Sequence, residues 1–237
     1  ATLRQARGTA YPSVLEAASL CEKAGCDGIT VHLREDRRHI QDADVRALRR
    51  QLAVPLNLEM AAAPEIVRIA LRVRPDEVCL VPEKRRELTT EGGLDVAGAG
   101  RFLRDTVRAL AGAGIRVSLF VDADPDQLAA CADLGAPCVE LHTGRYAEAS
   151  GAGASRELNR LIRGAETAHR AGLQVNAGHG LNLANVPGVL EMPHLDTLNI
   201  GHSLVARAVA VGLPRAVREM RRAMAAYAGG RRDRPWR

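Results

Sequence analysis

Seven short runs of apolar and β-branched residues recur along the chain: GITVHL (28–33), PLNLEM (55–60), EVCLVP (77–82), RVSLFV (116–121), CVELHT (138–143), QVNAGH (174–179) and LDTLNIGH (195–202). Between them lie stretches rich in Ala, Leu and Arg with helical patterning, among them 12–25, 64–73, 100–114 and 155–172. Several helices close on a glycine suited to a left-handed C-terminal cap: Gly25, Gly114, Gly135 and Gly172. Strict alternation of strand and helix predicts parallel strands joined by right-handed crossovers. No GxGxxG follows the first run, which argues against a dinucleotide-binding sheet. Eight such units would make a (β/α)8 TIM barrel. The segment 1–10 is polar and reads as a βα loop, so the expectation is a barrel with extra helices whose first β-strand is missing from this sequence, leaving two strand edges open. The barrel domain is expected to span 1–228, followed by a disordered basic tail over 229–237.

Composition narrows the picture. With 237 residues, 46% hydrophobic and only 3% aromatic, the core has to be built from Ala, Val, Leu and Ile. The net charge of +5 comes almost wholly from arginine, since Lys23 and Lys84 are the only lysines. These arginines are scattered, and few aromatics are present to stack on bases, so no nucleic-acid partner is expected. A basic surface would still favour anionic small substrates. Five cysteines, Cys21, Cys26, Cys79, Cys131 and Cys138, form no CxxC pair and read as free thiols in a reducing compartment. No apolar run approaches a membrane span. A cytoplasmic location without membrane partners is the expectation.

Functional groups of a parallel barrel gather at the C-terminal ends of its strands. Those ends carry His32 with Arg34, Glu59, Glu83 with Lys84, Asp122, Glu140 with His142, His179 and His202. Any one of them alone is more often a hydrogen-bonded structural group; together they point to a site. Glu140 and His142 are two apart and so face the same side of their strand. The last two strands both end in His beside Gly, at Gly180 and Gly201, where a barrel commonly binds phosphate through backbone N–H groups and a helix N-terminus. Ser203 is the expected cap of the helix that follows. The 32–39 stretch groups His32, Arg34 and His39 for an anionic intermediate. The charged, glycine-containing segment 81–96 reads as a mobile lid.

In these blocks, from ATLRQARGTAYP through GCDGITVHLREDRRHIQDADV, NLEMA, VCLVPEKRRELTTEGGLDVAG, VSLFVDAD, VELHTGRYA and VNAGHGLN to LNIGHSLVARAVAVGL, the chain resembles the pyridoxine 5′-phosphate synthase family of vitamin B6 biosynthesis. The resemblance runs in order from residue 1 to about residue 220. It implies a (β/α)8 barrel that condenses 1-deoxy-D-xylulose 5-phosphate with 3-amino-2-oxopropyl phosphate, releases inorganic phosphate and water, uses neither metal nor organic cofactor, and assembles as a homo-octamer. It also implies that His32 and Glu59 accept protons, that His179 donates one, and that Glu140 stabilises cationic intermediates. Arg7, Arg34, His39 and Thr89 would hold one substrate, and Gly180, Gly201 and His202 the phosphate.

Three other readings compete. A metal-dependent sugar-phosphate isomerase or epimerase would use Glu59, Glu140, His142 and His179 as ligands, though no HxH pair occurs. A Schiff-base aldolase would need Lys84, which lies in the expected lid rather than on a desolvated strand. A non-catalytic phosphate- or nucleic-acid-binding module would explain the arginines but not the convergence of Glu59, Glu140 and the histidines.

Overall fold

The computed structural model describes residues 1–83 and 92–229. All seven predicted strands form: β1 (Ile29–His32), β2 (Leu56–Met60), β3 (Glu77–Leu80), β4 (Arg116–Val121), β5 (Cys138–His142), β6 (Gln174–Gly178) and β7 (Leu195–Asn199). They pair in parallel and in chain order, so each crossover returns beside the strand it left. The sheet curls until its two edge strands meet through side chains: the Thr30 hydroxyl of β1 donates to Asn199 Oδ1 of β7 over 2.9 Å. This is a mixed α/β fold of the TIM-barrel type with seven strands among the described residues.

Eleven helices accompany the strands among the described residues: α1 (Thr2–Arg7), α2 (Val14–Lys23), α3 (Asp42–Gln51), α4 (Pro64–Val73), α5 (Arg101–Gly112), α6 (Pro125–Asp133), α7 (Gly144–Glu148), α8 (Gly151–Arg170), α9 (Val186–Val189), α10 (His202–Val211) and α11 (Leu213–Met224). The predicted C-terminal glycines follow α2, α5, α6 and α8 with φ of 91°, 78°, 77° and 81°, a conformation that side chains with a Cβ resist. None of the described helices is long and apolar enough to cross a membrane.

Two local expectations are corrected. Much of the segment read as a loop at the start of the chain is the helix α1, tied down by Arg4, whose guanidinium donates to both Asp44 carboxylate oxygens at 2.8 and 2.6 Å and to His39 O. That two-point, charge-assisted contact comes from α3, forty residues away, so no local pattern announces it. Ser203 does not cap α10. The helix begins at His202 with Gly201 as its N-cap, and the Ser203 hydroxyl donates instead to Leu181 O.

Strand residues alternate between two environments, as their period of two requires. Val31, Leu58, Val78, Val117, Leu119, Val139, Leu141 and Val175 pack against Val45, Leu48, Ile66, Val107, Leu110, Leu128 and Leu161 of the helices and form the main core. The opposite positions are unusually polar for a barrel interior. Asn57, Glu77, Ser118, Glu140 and Asn176 are all buried there, beside a small apolar cluster of Cys79, Val81 and Phe120. The three thiols Cys79, Cys131 and Cys138 are buried, Cys21 and Cys26 half-buried, and all five are free.

Candidate active site

The C-terminal ends of the strands bring most of the predicted residues to one end of the curled sheet. His32 closes β1, level with Glu59 of β2 in the parallel register. Its Nδ1 faces Glu59 Oε2 at 3.8 Å and its Nε2 lies 2.9 Å from Glu83 Oε1, so the imidazole bridges two carboxylates. Burial works to raise the Glu83 pKa, but hydrogen bonds from His32 and from the Glu35 N–H keep it below the ordinary carboxylate value. Arg34 is buried, with Nε on Asp36. His39 packs beside His32 with ring centroids 6.0 Å apart. Burial, then the nearby His32 and Arg34 charges, lower the His39 pKa to about 4. Its Nδ1 accepts from the Ile40 N–H, so at neutral pH His39 is an uncharged ring with its proton on Nε2.

Glu59 and Glu140 form the acidic centre. Glu140 is 2% exposed, whereas a quarter of the Glu59 side chain is open. Enclosure raises both pKa values, and for Glu140 the second cause is the charge of Glu59 itself. The two carboxyl groups therefore hold their protons more tightly than isolated ones and titrate as a pair. Glu140 Oε2 accepts from Asn199 Nδ2 at 2.6 Å and from the Cys79 thiol at 3.6 Å. Gly178 lies against Glu140 Oε1 so closely that any Cβ there would collide with it.

On the far side of Glu140, His142 Nδ1 meets Asp122 Oδ1 at 3.2 Å, and the Asp122 Oδ2 accepts from the Gly93 N–H. The His142 hydrogen bond is the main reason the Asp122 pKa falls to about 2. His179 packs edge-on against His142, with centroids 5.2 Å apart, and against Phe120. Burial, then His142, lower its pKa. The turn that presents His179 is left-handed at two consecutive residues, φ 83° at His179 and 76° at Gly180. Non-glycine residues seldom adopt that conformation outside functional turns. Thr143 clamps it: the hydroxyl lies 2.7 Å from Gly178 O and 2.5 Å from His179 O.

Gly201 and His202 stand at the N-terminus of α10, with open space where a Cβ at 201 would be. A Cβ at Gly180 would stand 2.6 Å from that of Ala147, so a side chain there has to displace Ala147. Arg7 is exposed on α1, with no side-chain hydrogen bond among the described residues. Thr89, Lys84 and half of the expected lid lie outside the described residues. Among the described residues no group of three or more His, Cys, Asp and Glu side chains comes together as metal ligands would.

Sequence reasoning passed over Asn199 altogether and gave no role in the synthase reading to Asp122, His142, Glu83 or Thr143. Asn199 had a signal: it is a polar residue at the C-terminal end of its strand, three positions before His202. The partnerships of the others join different strands and could not be read from spacing.

A curled parallel sheet with carboxylates, imidazoles and a glycine-lined helix N-terminus at its strand ends defines a barrel enzyme. The chain belongs to the family described as pyridoxal phosphate biosynthesis protein PdxJ, whose model matches residues 1–226. It is 62% identical over 225 residues to pyridoxine 5′-phosphate synthase of Synechococcus sp. (strain JA-2-3B'a(2-13)), covering 94% of each chain. It is 57% identical over 222 residues to the enzyme of the same name from Idiomarina loihiensis, covering 93% of this chain and 92% of that one. Among solved structures, KGPDC from Streptococcus mutans superposes with a TM-score of 0.62 at 14% identity, over 90% of this chain and 91% of that one, a likeness of fold alone. Family membership does not favour the metal-dependent isomerase reading.

Proposed function

We propose that this chain condenses 1-deoxy-D-xylulose 5-phosphate with 3-amino-2-oxopropyl phosphate to pyridoxine 5′-phosphate, releasing inorganic phosphate and water. The observation that carries the reading is the His32–Glu59 pair with Glu140 and His179 at the same strand ends, in a chain 57–62% identical to relatives named for that product.

An amine has to add to a ketone, the carbinolamine has to lose water, a phosphate has to leave, and the ring has to close and aromatise. Each step moves a proton, so groups of different basicity are needed around one pocket. In this proposal His32 and Glu59 accept protons, the pair kept in register by Glu83. His179, held by Thr143 and His142, donates one to a leaving oxygen. Glu140, when ionised, stabilises the positive charge that develops on imine-like nitrogen. Arg34 and neutral His39 hold one substrate, with Arg7 and Thr89 reaching it. Gly180, Gly201 and His202 offer backbone N–H groups and the positive end of α10 to the phosphate that stays on the product. No metal or organic cofactor enters the scheme.

A homo-octamer, implied by the family resemblance, is part of the same proposal. It is supported by α10, which buries none of its residues and leaves Val205 and Val209 exposed. A cytoplasmic setting suits the five free thiols. The test is to mix the purified protein with both substrates and follow product and released phosphate together. Equal appearance of the two, abolished by Glu59→Gln, is the expected result. Folded protein that forms neither product would refute the reading, and equilibrium sedimentation would settle the octamer.

A further inference from the structure

Four polar side chains form a directed hydrogen-bond series that crosses the unpaired seam between β7 and β1. Asn57 Nδ2 of β2 donates to Thr30 Oγ1 of β1 over 3.4 Å, Thr30 donates to Asn199 Oδ1 of β7 over 2.9 Å, and Asn199 Nδ2 donates to Glu140 Oε2 of β5 over 2.6 Å. Each donor is oriented by the group behind it. Because Thr30 accepts from Asn57, its single proton points to Asn199. Because Asn199 receives that proton on its oxygen, its NH2 group can only turn toward Glu140. In a low-dielectric interior such series polarise one another toward the final acceptor. The other oxygen of Glu140 lies against Gly178, where any Cβ would displace it.

We propose that Asn199 is a positioning residue for Glu140, and that Thr30, without touching Glu140, sets the orientation of the Asn199 amide on which the Glu140 carboxylate depends. The series holds the carboxyl at one angle and supports its ionised form, because a carboxylate accepts the Asn199 N–H more strongly than a neutral acid does. It also links β1 to β5 and β7 through side chains alone. A catalytic consequence of this alignment rests on the role proposed for Glu140 above.

The other titratable groups acting on Glu140 are Glu59 of β2 and Glu77 and Cys79 of β3. The two carboxylates raise its pKa, after burial, while the hydrogen bonds from Asn199 and Cys79 lower it. Removal of the Asn199 donor therefore moves Glu140 ionisation to higher pH and shrinks the ionised fraction at neutral pH.

The experiment follows the carboxylic-acid carbonyl band of Glu140 by infrared difference spectroscopy, assigned by its loss in Glu140→Gln, together with pH profiles of kcat and KM. Expected for Asn199→Leu is a band that persists to higher pH and a kcat lowered about tenfold at neutral pH, with KM nearly unchanged. Thr30→Val, which keeps volume and leaves Glu140 and Asn199 in place, moves the band in the same direction by less, and Thr30→Ser restores it. A Thr30→Val band that titrates like the wild type would overturn the proposal, even if Asn199→Leu proved too unstable to study. A band that moves in Thr30→Val with no change in kcat would uphold the positioning and overturn the catalytic role of Glu140 instead.

Discussion

His32 Nε2 lies 2.9 Å from Glu83 Oε1, the shortest of the contacts that hold this imidazole in place. Glu83 lies just past the end of β3, so its contact with His32 links the exit of β3 to the end of β1. Since Glu83 also accepts from the Glu35 N–H, it orients the ring and the 33–36 turn together. Glu83→Gln keeps the size and removes the charge. Expected is a kcat for pyridine formation reduced by ten- to a hundredfold, corresponding to about 1.5–3 kcal/mol for a hydrogen bond to a charged group. Steady-state kinetics of the variant check this, and an unchanged kcat would remove Glu83 from the acid–base unit.

Asp122 acts on His179 only through His142. Asp122→Asn keeps a side-chain oxygen that can accept from the Gly93 N–H and weakens the grip on the His142 ring. The expected outcome is a roughly tenfold loss in kcat with a smaller change in KM, because the ring that positions His179 is freed while the phosphate cradle is untouched. A change confined to KM would place Asp122 in substrate binding.

Gly180 joins two demands, a φ of 76° and a Cβ position already occupied by Ala147. Gly180→Ala should lower stability by about 1–2 kcal/mol through backbone strain and displacement of Ala147. It should also raise the KM for the phosphorylated substrate. Gly201→Ala, with open space around the new methyl and a φ of −118°, should cost little stability and act on KM alone. Thermal melts beside KM measurements separate the two; equal melting shifts would contradict the structure.

Glu77 gives a pH dependence of known sign. Its side chain is 1% exposed, and burial, partly offset by Arg116 at 3.7 Å, raises its pKa from 4.5 to about 7. Between those values the unfolded chain has released a proton that the folded protein retains, so stability falls as pH rises from about 4.5 to 7. The difference amounts to about 3 kcal/mol once pH is above both values. Glu77→Gln should match the wild type near pH 4.5 and melt higher at pH 8. A stability gap that narrowed with rising pH would show the Glu77 carboxylate to be favourably solvated in the fold.

All seven strands were legible in the chain because a strand between helices is a short apolar run, and its boundaries are marked by the helices on either side. The strand-end residues were legible for a related reason. Polar groups such as Glu59, Glu140 and His179 interrupt apolar runs at the one end where a parallel sheet collects its loops. The helix α1 was not legible, because what holds it is the Arg4–Asp44 contact with α3 rather than an apolar face of its own. Nor was the cap of α10, since the Ser203 hydroxyl donates to Leu181 O instead of accepting from the N–H groups of its own helix.

The sequence by itself determined the order of strands and helices, the parallel direction of the sheet and the family to which the chain is similar, all of which rest on local periodicity and on blocks of consecutive residues. Only the tertiary structure decided which groups meet: His32 with Glu83, Asp122 with His142, and Asn199 with both Glu140 and Thr30, whose partners are 51, 20, 59 and 169 residues apart. Such pairings depend on how far the sheet curls and on the angle at which each side chain leaves its strand. Those are set by the packing of every helix on the outer face, and no stretch of neighbouring residues encodes them.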